Sequence, residues 1–141
     1  MNKEQVDHLV KRFESLPYHQ FIGLKIVSHN TGFCETQLDI SENILAPDGV
    51  VHGGIYYSIC DITAGIAAST LLSDSARAVT SDINVSVLSA AREGILKTTA
   101  NVLKAGKRIC FVEARIVDKN ERLVAVARIT KAILNNPSVG K

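Results

Sequence analysis

The sequence lacks most of the patterns that mark specialised chemistry. Its three cysteines, Cys34, Cys60 and Cys110, are odd in number and form no C-x-x-C pair. That excludes a disulfide framework and fits a reducing compartment. The four histidines, His8, His19, His29 and His52, include no pair at helical i, i+4 spacing and no H-E-x-x-H. No metal site and no cofactor are therefore expected. No run approaches the ~18 apolar residues of a membrane helix. The opening stretch MNKEQVDHLVKRFE alternates charge with apolar residues and has no signal-peptide h-region. Neither sign of charge dominates: sixteen Lys+Arg face fourteen Asp+Glu, a net +2, too weak a balance for a nucleic-acid partner. A cytoplasmic protein, neither crossing nor coating a membrane, is the expectation.

What is present is ordinary globular composition, 46% hydrophobic and 21% charged over 141 residues, the length of one domain at ~100–200 residues. Val6, Leu9, Val10, Phe13 and Leu16 fit a 3.6-residue period and predict a helix over 3–16 with one buried face. After Pro17, residues 22–29 and 31–40 read as two strands around an Asn30-Thr31-Gly32 turn, and 41–51 as a loop turning at Pro47-Asp48-Gly49. Residues 53–72, GGIYYSICDITAGIAASTLL, are apolar on almost every side and predict a buried helix. Period-2 patterning then marks strands at 79–90, 94–104, 108–117 and 122–133, with hairpin turns at 104–107 and 118–121. The tail 135–141 is expected to fray. Helix, two strands, long buried helix and four strands make an α+β chain, in which a curved antiparallel sheet wraps the central helix.

There is no G-x-G-x-x-G, no P-loop and no G-x-S-x-G. One position is unusual. Asp61 is the only Asp, Glu, Lys or Arg between Asp48 and Asp74, and it sits in mid-helix among apolar residues. An unpaired buried carboxylate costs several kcal/mol. Either Asp61 hydrogen-bonds a strand or a neighbouring subunit, or it serves chemistry. The second feature is His52-Gly53-Gly54 at the start of the same helix. Free N–H groups there meet the positive end of the dipole, and two glycines let a ligand oxygen approach the backbone. An oxyanion site needs such an arrangement, and a tight loop-to-helix turn uses the same residues.

Taken together, His52-Gly53-Gly54 followed by Asp61 resembles the hotdog-fold acyl-CoA thioesterases of the phenylacetate-pathway and acyl-CoA thioesterase-superfamily type. The likeness extends to Ala46-Pro47-x-Gly49-x-Val51-His52, to Asn84-Val85-x-Val87-Leu88 with Ala91-Arg92-x-Gly94, and to Gly106-Lys107-Arg108 before Phe111-Val112-Glu113-Ala114. It covers about residues 20–133. It implies a hotdog fold and hydrolysis of an acyl-CoA thioester. Asp61 is then nucleophile or general base, the Gly53 N–H polarises the carbonyl, His52 supplies polar contacts, and Thr80 helps to place water. Gly54 and Asn84 contribute to substrate binding, and Arg92, Lys104, Lys107 and Arg108 are candidates for the CoA phosphates. Tyr56 and Tyr57 are candidates for an aromatic-acyl pocket or for core.

The chain departs from the family at Ala46, where a polar Asn or Gln is usual, with Asn43 nearby as a substitute. It departs again at Val87, where Tyr is usual. A non-catalytic acyl-CoA-binding hotdog is the alternative reading. A hotdog hydratase is disfavoured because no histidine follows His52. Gly53 and Asp61 lie eight residues apart on one helix, ~12 Å at 1.5 Å per residue. A shared site therefore calls for a homodimer, and the resemblance implies pairing of two dimers into a homotetramer.

Overall fold

A computed structural model describes residues 2–135. In chain order it contains α1 (Lys3–Glu14), α2 (Pro17–Ile22), β1 (Leu24–Asn30), β2 (Phe33–Asp39), a 3-10 turn (Glu42–Ile44), α3 (Gly53–Ser69), β3 (Ala76–Val87), β4 (Ile95–Ala105), β5 (Ile109–Val117) and β6 (Leu123–Asn135). The six strands form one antiparallel sheet in the order β1-β2-β4-β5-β6-β3. It curves around α3, which touches every strand. The α+β arrangement read from the sequence is the one observed.

Alternation explains the packing. Along β5, Cys110, Val112, Ala114 and Ile116 are buried and the residues between them are more exposed. Along β6 the inward set includes Ala125, Ala127 and Ile129. These side chains meet Ile59, Cys60, Ala64, Ile66 and Ala67 of α3 in one continuous core. The small residues of α3 let the sheet close tightly around it. Tyr56 is core rather than pocket wall: it is 2% exposed, and its hydroxyl accepts the Ala91 N–H at 3.3 Å.

Several boundaries differ from the sequence expectation for identifiable reasons. The central helix stops at Ser69 rather than 72. There the Thr70 hydroxyl donates to the Ala67 carbonyl and accepts the Gly32 N–H, both within 2.8 Å, tying the helix end to the β1–β2 turn. The first helix ends at Glu14, and Leu16 instead caps α2, a short helix opened by Pro17 that period counting did not reveal. No residue of α1 is buried, so the expected buried face is only half covered. Asn135 is not frayed but closes β6 opposite Ala76; the rest of the expected frayed tail lies outside the described residues. β3 carries a bulge at Ser81, where the register with β6 slips between Thr80 and Asp82. Among the described residues, no helix is long and apolar enough to cross a membrane.

Candidate active site

The loop before α3 folds back on itself. Gly49 donates to the Ala46 carbonyl and Ala46 to the Val50 carbonyl, with Gly49 at φ +77°, a conformation suited to glycine. His52 then caps the helix, its Nδ1 accepting the Gly54 N–H at 3.0 Å. That bond fixes the neutral tautomer with hydrogen on Nε2 and leaves Nε2–H as a donor. It also occupies Gly54, so the Gly53 N–H is the one left open: it has no hydrogen-bond partner among the described residues. A Cβ on Gly53 would meet nothing within 4 Å, whereas one on Gly54 would stand 3.2 Å from His52 Nδ1. The helix start is thus a bare backbone donor at the positive end of the dipole, with clear space above it. Arg92 lies beside this loop, its Nη1 donating to the Asp48 carbonyl at 2.9 Å.

Two turns further on, Asp61 sits in a compact ionic cluster. Its Oδ1 accepts the Thr80 hydroxyl at 2.6 Å and the Lys131 ammonium at 2.7 Å. Lys131 also donates to the Asp61 carbonyl at 3.1 Å and to Thr80 Oγ1 at 2.7 Å. The lysine is 3% exposed and the aspartate side chain 35% exposed. Asp61 therefore bonds the strands, as the bland reading of the sequence anticipated, yet it remains open to solvent. Its Oδ1 is fully engaged, while Oδ2 accepts no hydrogen bond from any described residue. A carboxylate held through one oxygen presents the other to a reactant. The Thr80 hydroxyl proton is committed to Asp61, so Thr80 acts here by orienting the carboxylate.

Lys131 is the member that the sequence reading passed over. It lies 70 residues from Asp61. A signal was present: on β6 it has the parity of the buried Ala127 and Ile129, so a lysine occupies an inward position, which a lone charge rarely does. Gly65, one turn beyond Asp61, lies directly under it; a Cβ there would be in ordinary contact, 3.5 Å from Lys131 Nζ. The neighbouring thiol is not a competing nucleophile. Burial, and then the charge of Asp61, pushes Cys60 up to about 12.

The remaining predicted residues are dispersed within one chain. Lys107 and Arg108 occupy the exposed β4–β5 turn, where the Arg108 carbonyl accepts the Ile133 N–H, near the Lys131 end of β6. Lys104 lies just before that turn. Asn84 is not brought to Asp61. It lines a shallow groove on the outer sheet face with Ser86, Glu113, Arg115 and Arg128. The bulge at Ser81 is the reason: an even spacing in a regular strand keeps two residues on one face, and the extra residue sends Asn84 outward while Thr80 points to the helix. Ala46 is half-buried in the tight loop, and Asn43 is exposed in the preceding 3-10 turn. No group of three or more His, Cys, Asp or Glu suited to a metal occurs among the described residues.

Comparison with known proteins identifies the family and the fold. The thioesterase superfamily profile matches residues 48–125. A 1,4-dihydroxy-2-naphthoyl-CoA hydrolase of Listeria monocytogenes is 30% identical over 112 residues, 79% of this chain and 91% of that protein. Among solved structures, a Haemophilus influenzae thioesterase superposes with a TM-score of 0.87 at 22% identity, covering 96% of this chain and 94% of its own. A Streptococcus pneumoniae hypothetical thioesterase with coenzyme A gives 0.81 at 21% identity, covering 92% and 99%. The fold is the hotdog fold of those thioesterases, and the chain belongs to the thioesterase superfamily and is a thioester hydrolase.

Proposed function

We propose that the chain hydrolyses acyl-CoA thioesters, with water adding across the C–S bond to give a free acid and CoA thiol. The observation that carries this reading is the unengaged Oδ2 of Asp61, on a carboxylate anchored through Oδ1 by Thr80 and Lys131. Oδ2 takes a proton from attacking water, or itself attacks the carbonyl to give an acyl-enzyme that water then cleaves. In both routes the carbonyl oxygen gains negative charge, and the open Gly53 N–H at the helix start receives it. The His52 Nε2–H is a second donor at that end. The CoA leaving group takes up one proton. The name of the Listeria relative supports a CoA thioester as substrate class.

The site is completed by a second copy of the chain. Both groups lie on α3, eight residues apart, or ~12 Å, too far for one carbonyl to meet both. β3 supports such pairing: it is twelve residues long and lies at the sheet edge, bonded only to β6, so its other side is open to a two-fold-related strand. In that assembly Arg92 accompanies the Gly53 half, while Lys107 and Arg108 accompany the Asp61 half, as candidate CoA-phosphate contacts. Two dimers then pair as a tetramer.

Thiol release from a panel of acyl-CoAs tests the chemistry. Wild type should turn over, and absence of release from every member refutes the proposal. Sedimentation at assay concentration tests the assembly, and a fully active monomer overturns it.

A further inference from the structure

The ammonium of Lys131 has three N–H donors, and all three are spent on one residue and its neighbour. Asp61 Oδ1 accepts at 2.7 Å, the Asp61 carbonyl at 3.1 Å and Thr80 Oγ1 at 2.7 Å. The lysine side chain is 3% exposed, so no donor is left over for water or for a ligand. Its stem comes from β6, where Lys131 stands in register with Thr80 of β3. Its tip passes over Gly65 of α3, where an added Cβ would stand 3.5 Å from Nζ and 4.0 Å from Cε. Two strands and the central helix therefore meet at one buried cation, and every bond it makes serves the Asp61–Thr80 pair.

Stability alone gives little reason for a cation at this position. Taking an ammonium out of water is costly, and well-packed apolar side chains in place of a buried ion pair commonly serve the fold as well or better. The residues that share its side of β6, Ala127 and Ile129, are apolar. What the lysine adds is geometric. Its bond to the Asp61 carbonyl ties Nζ to the α3 backbone, and its bond to Thr80 Oγ1 ties it to β3, so its place does not depend on the charge of the carboxylate. One hydrogen bond from Thr80 would leave the carboxylate free to turn about Oδ1. Two donors converging on Oδ1 from β3 and β6 stop that rotation and keep Oδ2 as the unbonded oxygen. During turnover the carboxylate gives up its charge, to a proton or to an acyl carbon at Oδ2. Oδ1 is then a carbonyl-type oxygen that still accepts from both donors, and the side chain keeps its orientation through the cycle.

We infer that Lys131 is a positioning residue for the hydrolysis: it touches no substrate, and it sets turnover by holding the Asp61 side chain so that Oδ2 alone faces the reacting water or carbonyl. The inference rests on the thioesterase reading above, with Asp61 as base or nucleophile. A misplacement of about 1 Å at a reacting group costs about 10²-fold in rate, so a residue that only orients the acid carries a catalytic effect of that size without contributing to binding.

Lys131→Met, which keeps the length of the stem and removes the ammonium, tests this. With an acyl-CoA that wild type turns over, kcat should fall about 10²-fold. KM, and the Kd for the non-hydrolysable thioether S-ethyl-CoA, should stay within about threefold, and Tm within about 3 °C. In an Asp61→Asn background the same substitution should change kcat by about threefold or less, because the lysine acts through a carboxylate that is no longer there. Lys131→Gln, which keeps a polar donor, repeats the comparison if the methionine variant does not fold, and loss of folding in both assigns Lys131 to stability and overturns the inference. So does a folded Lys131→Met with kcat within about threefold of wild type, a fall in kcat that comes with an equal weakening of thioether binding, or an undiminished effect in the Asp61→Asn background. Those results leave the thioesterase reading intact, since wild type still releases thiol. A wild type that releases thiol from no acyl-CoA refutes that reading, and this inference with it.

Discussion

Replacing Asp61 by Asn keeps the shape of the side chain and removes its basicity, but the buried ammonium of Lys131 makes the result more than a loss of chemistry. Lys131 is 3% exposed and its pairing with Oδ1 is 2.7 Å long. In Asp61→Asn an amide oxygen can still accept from it, but the counter-charge is gone. A hydrogen bond to a charged group is worth ~1.5–3 kcal/mol, which for a chain of this size lowers Tm by roughly 3–10 °C. Complete removal in Asp61→Ala strands the ammonium and costs about 3–5 kcal/mol. The opposite deletion is milder. In Lys131→Met the carboxylate left behind is 35% exposed and is hydrated from solvent, while the cost of burying an ammonium disappears. The double variant Asp61→Asn/Lys131→Met therefore separates stability from catalysis. Its Tm should recover to within about 3 °C of wild type, while kcat stays at least ~10²-fold down, the loss expected for a missing base. Thermal melts and thiol-release kinetics on the four proteins provide the cycle. Recovery of kcat in the double variant, or failure of Tm to recover, would refute the reasoning.

Further outcomes follow from the helix start and the core. Gly53→Ala adds a methyl group where nothing lies within 4 Å, so the fold should be unaffected while kcat/KM falls by about 10²-fold; unchanged activity would show that no carbonyl approaches this N–H. Gly54→Ala places a Cβ 3.2 Å from His52 Nδ1, loosening the cap and lowering stability by ~1 kcal/mol in a denaturant titration. Ala46→Asn should raise kcat by restoring a polar side chain in the loop; a flat kcat combined with loss of activity in Asn43→Ala would assign that role to Asn43. Burial pushes the Cys34 and Cys60 thiols from 9.0 up to about 12, so the folded state holds protons that the unfolded chain releases. That stability is complete below about pH 9 and is lost as pH rises toward 12, which urea titrations across the alkaline range will detect as a falling midpoint.

The parts legible in the sequence are those set by local pattern. The strands at 108–117 and 122–133 were readable because their alternation continues without interruption, and the turn at 118–121 because Asp118 is the kind of residue that bonds the backbone ahead of it, as it does to Asn120 and Arg122. The placement of Gly53 and Asp61 on one helix was readable because a single long apolar run carries both. What was not legible depends on tertiary placement. Lys131 reaches Asp61 only because β6 lies beside β3 in the sheet, an order that no local period encodes. Asn84 and Thr80 were assigned to the site by resemblance, and one extra residue at Ser81 turns them to opposite faces. The α1 face looked like core because periodicity reports amphipathicity and not what covers it.

The bulge at Ser81 has a consequence for how this strand can change over time. It divides β3 into two segments with independent parity. The segment before it presents Ala76, Ala78 and Thr80 toward α1 and α3, and the segment after it presents Ile83 and Val85 to the core. Substitutions in the first segment can alter its contacts with α1 without disturbing the alternation that holds the second against the helix. A one-residue deletion at Ser81 would instead exchange inside for outside along one whole segment. The strand thus tolerates exchange of side chains more readily than change of length, and variation among relatives of similar fold should appear at 76–80 as substitution and not as insertion or deletion.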